Sequence, residues 1–317
     1  MENTMLLTQN QLDAFHRDGF ILVEDLFDSE EITAALNDME QIFYGKSYAE
    51  YLKELDKTGI ADSVEPTVTN VVAHYGDTEY GRAQFPTGFD ALDCLIENEA
   101  YLDVFAQCLG TNDVSYCNAH LFMRSGPTDK RHPEHPWQGY HPDHGTNTFL
   151  PLSQAVGSFD YVNSGVYLHD VDDDCAPMHV IPGSHRQAAD VLSRGGLDDI
   201  RKIPEFAEPI PTSAKAGSAL FYSSYLIHAA VPFKNKRKQR AFWTLSMARG
   251  DTSRWTKLAN PWSGPEQQFF QPFWEKTTPR ARTLFGWPEV GHAFYTETTL
   301  KGISQRFPNM DLSLYQV

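Results

Sequence analysis

The stretch Gln138-Gly139-Tyr140-His141-Pro142-Asp143-His144-Gly145 sets an imidazole and a carboxylate two residues apart. On an extended strand, residues at that spacing point to the same face, so His141 and Asp143 would meet one cavity side by side. A third donor comes from further along, where Ala219-Leu220-Phe221-Tyr222 runs through Ser223 and Ser224 into Tyr225-Leu226-Ile227 and ends on His228. Two neutral imidazoles and one carboxylate on one side of an ion leave the opposite positions vacant, and this suits non-haem Fe(II), with a chelating 2-oxoacid and then O2 as incoming ligands. The second carboxylate of such a co-substrate needs a cation. Arg240 stands twelve residues after His228 and heads Arg240-Ala241-Phe242-Trp243-Thr244-Leu245. Its guanidinium shares a strand face with Phe242, Thr244 and Ser246 and can fork onto a carboxylate through two hydrogen bonds, so it is the expected anchor for 2-oxoglutarate.

These residues need a scaffold, and the pattern describes one. Thr8-Gln9-Asn10-Gln11 has the form of a capping box, with Leu12 and Phe15 at helical spacing behind it and Gly19 to end the helix. Phe20-Ile21-Leu22-Val23 reads as a short strand, and after Ser29 a second helix carries Ile32, Leu36, Met39 and Phe43 on one face. From Asp113 to Met247 the texture becomes short apolar or alternating runs broken by Gly, Pro, Asp and Asn, the mark of a sandwich or barrel and not of βαβ units. Strands are expected over Val114–Met123, Tyr161–Leu168, Met178–Ile181, Ala219–Tyr222 and Arg240–Met247. Beyond Gly250 the chain is rich in Trp, Phe and Pro, too apolar for a disordered tail, and should pack back on the core or on another subunit of a homo-oligomer.

The 317 residues suffice for a sizeable core, and 41% hydrophobic with 21% charged residues is ordinary for a globular protein. The expected organisation is one domain over 1–317, with a helical and strand region at 1–112, a β core at 113–250 and an aromatic extension at 251–317. A net charge of -16 speaks against gripping nucleic acid or an anionic membrane, since both require positive potential. Cys94, Cys108, Cys117 and Cys175 have neither C-x-x-C pairing nor regular spacing, so free thiols in a reducing compartment are expected. With no run of about 18 apolar residues and no basic leader at Met1–Leu7, the expectation is a cytoplasmic protein.

The chain resembles the phytanoyl-CoA dioxygenase family in Leu7-Thr8 through Asp18-Gly19-Phe20, in His141-Pro142-Asp143, in Ile181-Pro182-Gly183-Ser184-His185-Arg186, and in Leu226-Ile227-His228 through Arg240. The resemblance implies a mainly β fold with flanking helices, a double-stranded β-helix (jelly roll, cupin-like) core. It implies Fe(II) held by His141, Asp143 and His228, 2-oxoglutarate on Arg240, and O2 as oxidant. Such enzymes couple decarboxylation of 2-oxoglutarate to succinate with oxidation of a C–H bond of a small-molecule substrate, most simply a hydroxylation. His120 and Arg124 fall near family positions that line the co-substrate pocket, and strand alternation with the resemblance adds Gln138, Tyr140, Tyr161 and Tyr167 as substrate-facing candidates. The tail from Leu284 to Asp311 is similar to the extension of some bacterial members.

Two positions depart from the family pattern. Pro142 stands where Gln is common and removes a ladder donor, which pushes the segment towards a strand end. Ala230 stands two after the distal His, where Ser or Thr often helps hold the co-substrate. Asp143 itself argues against a halogenase, because those members replace the carboxylate with a small residue. Alternatives within the class are a cyclase or desaturase in natural-product biosynthesis; outside it, a non-catalytic metal-binding barrel, which would not require Arg240. An acyl-CoA substrate, which the family's name implies, finds no support in the acid balance.

Plainer readings apply elsewhere. His132, His135 and His144 could form a rival site with His141, but Pro133 and Pro136 favour an irregular loop. Pro182-Gly183-Ser184-His185 is most simply a turn whose side chains tie its backbone. Lys234 to Lys238 reads as a solvated hairpin loop, and Asp170 with Asp172 to Asp174 as an acidic turn.

Overall fold

The computed structural model describes residues 6–58, 82–129, 140–143, 154–155, 158–159, 161–186, 206–250 and 267–316. In chain order the described elements are α1 (Gln9–Asp18), β1 (Phe20–Val23), α2 (Ser29–Tyr44), α3 (Tyr48–Thr58), β2 (Arg82–Gln84), α4 (Asp90–Asp93), α5 (Glu99–Leu109), β3 (Val114–Ser125), β4 (Gln154–Ala155), β5 (Ser158–Phe159), β6 (Tyr161–Tyr167), β7 (Met178–Val180), β8 (Ile210–Pro211), β9 (Ala219–Ser223), β10 (His228–Ala230), β11 (Gln239–Arg249), α6 (Gln267–Lys276), α7 (Pro279–Thr283) and α8 (Glu297–Arg306).

Local chemistry sets the first elements. Thr8 caps α1 reciprocally with Gln11, and Gly19 ends the helix at a left-handed φ of 83°, a conformation other residues adopt at a cost. Helix α2 is capped one residue earlier than its serine implies, because the Asp28 carboxylate accepts the Glu31 N–H at 2.8 Å and an anion there also suits the helix dipole.

A six-stranded antiparallel sheet has the order β1-β9-β6-β11-β3-β2, and a three-stranded one the order β10-β7-β8. Both edge strands of the larger sheet come from the N-terminal region, outside the stretch from Asp113 to Met247. Strand β11 is central, pairing along its length with β3 and β6. Its period-two alternation separates two cores. Trp243, Leu245 and Met247 face the helices and join Tyr101, Phe105 and Phe221 in the main apolar cluster. Phe242 faces the other way, into a smaller cluster shared by Tyr167 and Leu220 of the large sheet with Met178 and Val180 of the small one. The interior between the two sheets is the jelly-roll cavity, and the architecture is the mainly β fold with flanking helices expected of a double-stranded β-helix.

The C-terminal aromatics are spent on this chain's own core. Phe273 lies 4.9 Å from Phe85 and Phe285 4.7 Å from Tyr116, centroid to centroid. Buried Arg282 pins the tail by donating to the Trp274 carbonyl at 2.9 Å and to the Tyr315 hydroxyl at 3.1 Å. Of the two destinations expected for this tail, the described residues therefore take the intramolecular one, and association through the extension gains no support. Among the described residues no helix is long and apolar enough to cross a membrane.

The turn from Pro182 to Arg186 serves as a clasp. Ser184 Oγ accepts the Ile227 N–H at 2.9 Å, the Gly183 N–H reaches the Asp18 carbonyl at 2.7 Å, and His185 Nε2 donates to the His16 carbonyl at 3.1 Å. A Cβ on Gly19 would stand 2.3 Å from His185 Nδ1, so only glycine admits that imidazole. The Lys234–Lys238 loop is an exposed turn tied down by Arg237 on Asp56 and Lys238 on Asp172. The acidic turn is likewise matched by cations and hydroxyls, with Lys215 on Asp170 and Ser213 on Asp173.

Burial, reinforced by Arg186, pushes His185 from 6.5 down to about 4. The folded value lies below the unfolded one, so the unfolded chain takes up the proton first, and stability present above pH 6.5 is lost as pH falls towards 4. Chemical denaturation at successive pH values should show this loss, up to ~3 kcal/mol from this group, and His185→Gln should flatten that part of the curve.

Candidate metal centre

The site begins with a backbone pairing. His141 N–H donates to the His228 carbonyl and His228 N–H to the His141 carbonyl, both at 3.0 Å, in an isolated antiparallel bridge. Residues paired in this way carry their side chains on the same face, so two imidazoles from segments 87 positions apart stand together, centroids 4.7 Å apart. Pro142 follows His141 at a position whose N–H would point away from the partner strand, so the missing donor costs this bridge nothing. Asp143, two residues on, then returns to the His141 face.

The segment carrying His228 is held from its other side. The clasp turn takes up both polar groups of Ile227, with Ser184 accepting its N–H and the Ile181 N–H donating to its carbonyl at 2.9 Å. Nδ1 of His228 lies 2.9 Å from the Leu226 carbonyl, so its proton sits there and Nε2 is the lone-pair donor.

Asp143 Oδ1 lies 3.5 Å from His141 Nε2 and 3.6 Å from His228 Nε2. One donor atom from each of the three residues can be chosen so that all lie within 4.8 Å of one another. Such separations belong to donors ~2.1 Å from a common centre, so the set fits a first-row divalent ion. The site opens on one side: the His141 side chain is 50% exposed and that of His228 8%. Burial works against the Asp143 charge, but the His228 and His141 imidazoles outweigh it and hold the carboxyl well below its ordinary range. Burial also lowers His228, which favours the neutral, metal-binding form.

The other carboxylate oxygen is engaged from behind. Asn163 Nδ2 donates to Asp143 Oδ2 at 2.8 Å and Tyr222 Oη at 3.3 Å, while Ser246 Oγ donates to Asn163 Oδ1 at 2.6 Å. Tyr222 also meets the His228 ring edge-on at 5.1 Å. Motif spacing singles out neither Asn163 nor Tyr222, and alternation marks Ser246 only as a face-mate of Arg240. One signal was available, an amide inside the apolar run Tyr161-Val162-Asn163-Ser164-Gly165-Val166.

The remaining candidates occupy different levels of the cavity. Buried Arg240 lies on the inward face of β11, donating to the Ala176 carbonyl at 2.9 Å and standing 5.6 Å from the Phe242 ring centre. Ala176 precedes Met178 and Val180 of β7, and Val180 is the register partner of His228. Guanidinium and imidazoles are thus two levels of one interior, separated by about four strand residues, ~13 Å. His120 faces inward opposite Thr244, its Nε2 2.7 Å from the Asn118 amide nitrogen. Tyr161 stands by Ser246 and Cys117, close enough to Asp143 for that charge to add to the upward push of burial on its hydroxyl.

Three candidates have other employment. Arg124 pairs with Asp129 at 3.1 Å and donates to the Val231 carbonyl at 3.0 Å, so it ties two loops at the closed end of the cavity. Tyr167 donates to the Thr212 carbonyl at 2.6 Å and packs edge-on against Phe242. Tyr140 packs with Ile181, Ile227 and Ala229, and the last two flank His228 on the opposite face of its strand, so Tyr140 points away from the triad. For Tyr140 a substrate-facing position is therefore corrected to a packing one, while Tyr167 stays on the inward face with its hydroxyl committed to Thr212. Gln138, and the rival ligands His132, His135 and His144, lie outside the described residues.

Comparison with known proteins agrees with this geometry. The family model for phytanoyl-CoA dioxygenase matches residues 15–241. An ectoine dioxygenase of Bordetella bronchiseptica is 23% identical over 242 residues, 71% of this chain and 70% of that protein. The crystal structure of the non-haem α-ketoglutarate-dependent carbocyclase SnoK from nogalamycin biosynthesis superposes with a TM-score of 0.52 at 16% identity, covering 80% of this chain and 89% of its own. That of AviO1 from Streptomyces viridochromogenes gives 0.50 at 15% identity, covering 77% and 95%. These structural likenesses establish the shared fold.

Calorimetric titration of the anaerobic protein should show one divalent ion bound per chain. Replacing His141, Asp143 or His228 singly with Ala should weaken it by more than the ~10–100-fold typical of an outer-shell change.

Proposed function

This chain belongs to the phytanoyl-CoA dioxygenase family, and from that premise we propose that it is an Fe(II)- and 2-oxoglutarate-dependent dioxygenase that hydroxylates a small organic molecule, with succinate and CO2 as co-products. The observation that carries the reading is the one-sided donor set, two imidazole nitrogens and one carboxylate oxygen within 4.8 Å of one another, at the open end of a cavity whose closed end holds Arg240. A barrel that bound metal for structure alone would need a closed ligand set and no inward guanidinium. The whole chain, 1–317, works as one oxygenase unit, since its main core cluster runs from Leu7 through Trp243 to Tyr315.

The residues have distinct parts. His141, Asp143 and His228 would hold Fe(II), which when bound would supply open positions for 2-oxoglutarate and O2. Arg240 receives the distal carboxylate of 2-oxoglutarate, since a planar guanidinium pairs with a carboxylate through two parallel hydrogen bonds. Ala230 offers no hydroxyl beside it, so the co-substrate relies more heavily on Arg240. Phe242, Tyr167, Leu220 and Val180 make the surrounding wall apolar and exclude water from the buried end. Gly165 leaves space for that wall, because a Cβ there would stand 1.9 Å from the Phe242 ring. The exposed flank of His141 is the side from which substrate approaches.

Anaerobically purified protein given Fe(II), 2-oxoglutarate and O2 should release succinate, slowly without substrate, and His141→Ala should abolish it. Equal release from both proteins would sink the reading. Arg240→Leu should raise the 2-oxoglutarate requirement by roughly 10–100-fold, the worth of a charge-assisted hydrogen-bonded pair, while leaving metal affinity unchanged. A metabolite screen should then return a product heavier by one oxygen atom.

A further inference from the structure

The inward face of the large sheet is arranged in rows. Register aligns Tyr222 of β9 with Asn163 of β6, Asn163 with Ser246 of β11, and Ser246 with Asn118 of β3. The next row inward is Leu220, Gly165, Thr244 and His120, and the one after brings Tyr167, Phe242 and Phe122 together. Polar groups thus concentrate at the level of the triad, and two of them, Asn163 and Tyr222, converge on one ligand, Asp143. Asn163 is 3% exposed and Tyr222 4%, so their hydrogen bonds are made away from bulk water.

The donors and acceptors leave no choice of orientation. An ionised carboxylate only accepts, so the Asn163 amide must turn its NH2 to Asp143 and its oxygen to Ser246, whose hydroxyl donates at 2.6 Å. The Tyr222 hydroxyl, facing a carboxylate oxygen that can only accept, is likewise the donor at 3.3 Å. Both donors meet Oδ2, while Oδ1 is the oxygen turned to the two imidazoles at 3.5 and 3.6 Å. A carboxylate free to rotate could offer both oxygens to one ion and fill a position that incoming ligands require.

We propose that Asn163, oriented by Ser246 and assisted by Tyr222, is a positioning residue that holds Asp143 to ligation through Oδ1 alone. The proposal rests on the metal reading above and deepens it. Asn163 touches neither ion nor substrate; it acts through Asp143. The hydrogen bonds of an amide and a hydroxyl in this row set a direction, which apolar contact would not.

Co(II) is the probe, followed by calorimetry and by the visible absorption of the saturated protein, which reports the number and kind of ligands. Asn163→Ala should bind Co(II) about 10–100-fold more weakly than wild type and show an altered absorption spectrum at saturation, with unchanged circular dichroism. Ser246→Ala and Tyr222→Phe should shift affinity and spectrum in the same direction by less. Because Ser246 acts through Asn163, the double variant should bind no more weakly than Asn163→Ala alone, a non-additivity that general loosening of the fold would not produce. Wild-type affinity and spectrum in Asn163→Ala would overturn the proposal. Should Asn163→Ala fail to fold, unchanged affinity and spectrum in both Ser246→Ala and Tyr222→Phe would overturn it equally. His141→Ala separates the two levels: if it binds Co(II) as wild type does, the metal reading itself fails and takes this proposal with it, whereas its loss of binding beside an unaltered Asn163→Ala refutes the positioning role alone.

Discussion

Two hydrogen bonds between the backbones of His141 and His228, each 3.0 Å, are the constraint on which this molecule turns. Antiparallel pairing of that kind puts opposed side chains on one face at a fixed spacing, and strand alternation then returns Asp143 to the same face. The chemistry of the triad is a consequence of sheet geometry applied to three residues. Much of the surrounding structure can be understood as protecting that pairing. Ser184 and Ile181 occupy the polar groups of Ile227, and the clasp that carries them is itself anchored to the end of α1 through Asp18, His16 and the space left by Gly19.

The cavity behind the triad is graded. At the open end, hydroxyl and amide groups converge on Asp143; further in, Leu220, Phe242, Tyr167 and Met178 form an apolar sleeve; at the closed end lie two arginines opposed in register, Arg124 and Arg240. Burying two like charges side by side is costly unless each is matched. Asp129, its side chain 4% exposed, pairs with Arg124, and Arg240 donates to a carbonyl. The two guanidinia are nearest neighbours on adjacent strands, yet they are tied differently, Arg124 to a carboxylate and a carbonyl and Arg240 to a carbonyl. An apolar sleeve between a metal and a cation is also what keeps each electrostatic interaction strong, because little water intervenes.

The flanking elements contribute rigidity and not ligands. Helices α2 and α5 cover the outer face of the large sheet through Ile32, Met39, Tyr101 and Phe105, and the C-terminal aromatics close over Phe85 and Tyr116. Asp143 lies outside the strands, but the groups behind it stand on β6, β9 and β11, and strands hold side chains more closely than loops do, which matters for a carboxylate whose rotation alone would change the coordination it offers.

Some of this was legible in the residues themselves. The H-x-D spacing, the apolar run into His228 and the arginine twelve residues later identified the chemistry, because period-two alternation is a local rule that needs no coordinates. Capping boxes and turn glycines were legible for the same reason. Alternation says only that two residues share a face; it does not say whether that face is the cavity, so nothing in the spacing tells that Tyr140 packs away from it. Nor does it reveal cross-strand register, and register is what aligned Tyr222, Asn163 and Ser246 behind Asp143 from three strands far apart in the chain. Residue type and spacing determined which groups could bind an ion; only strand pairing decided which lie beside it, because hydrogen-bonded register brings distant residues together and linear order does not record it.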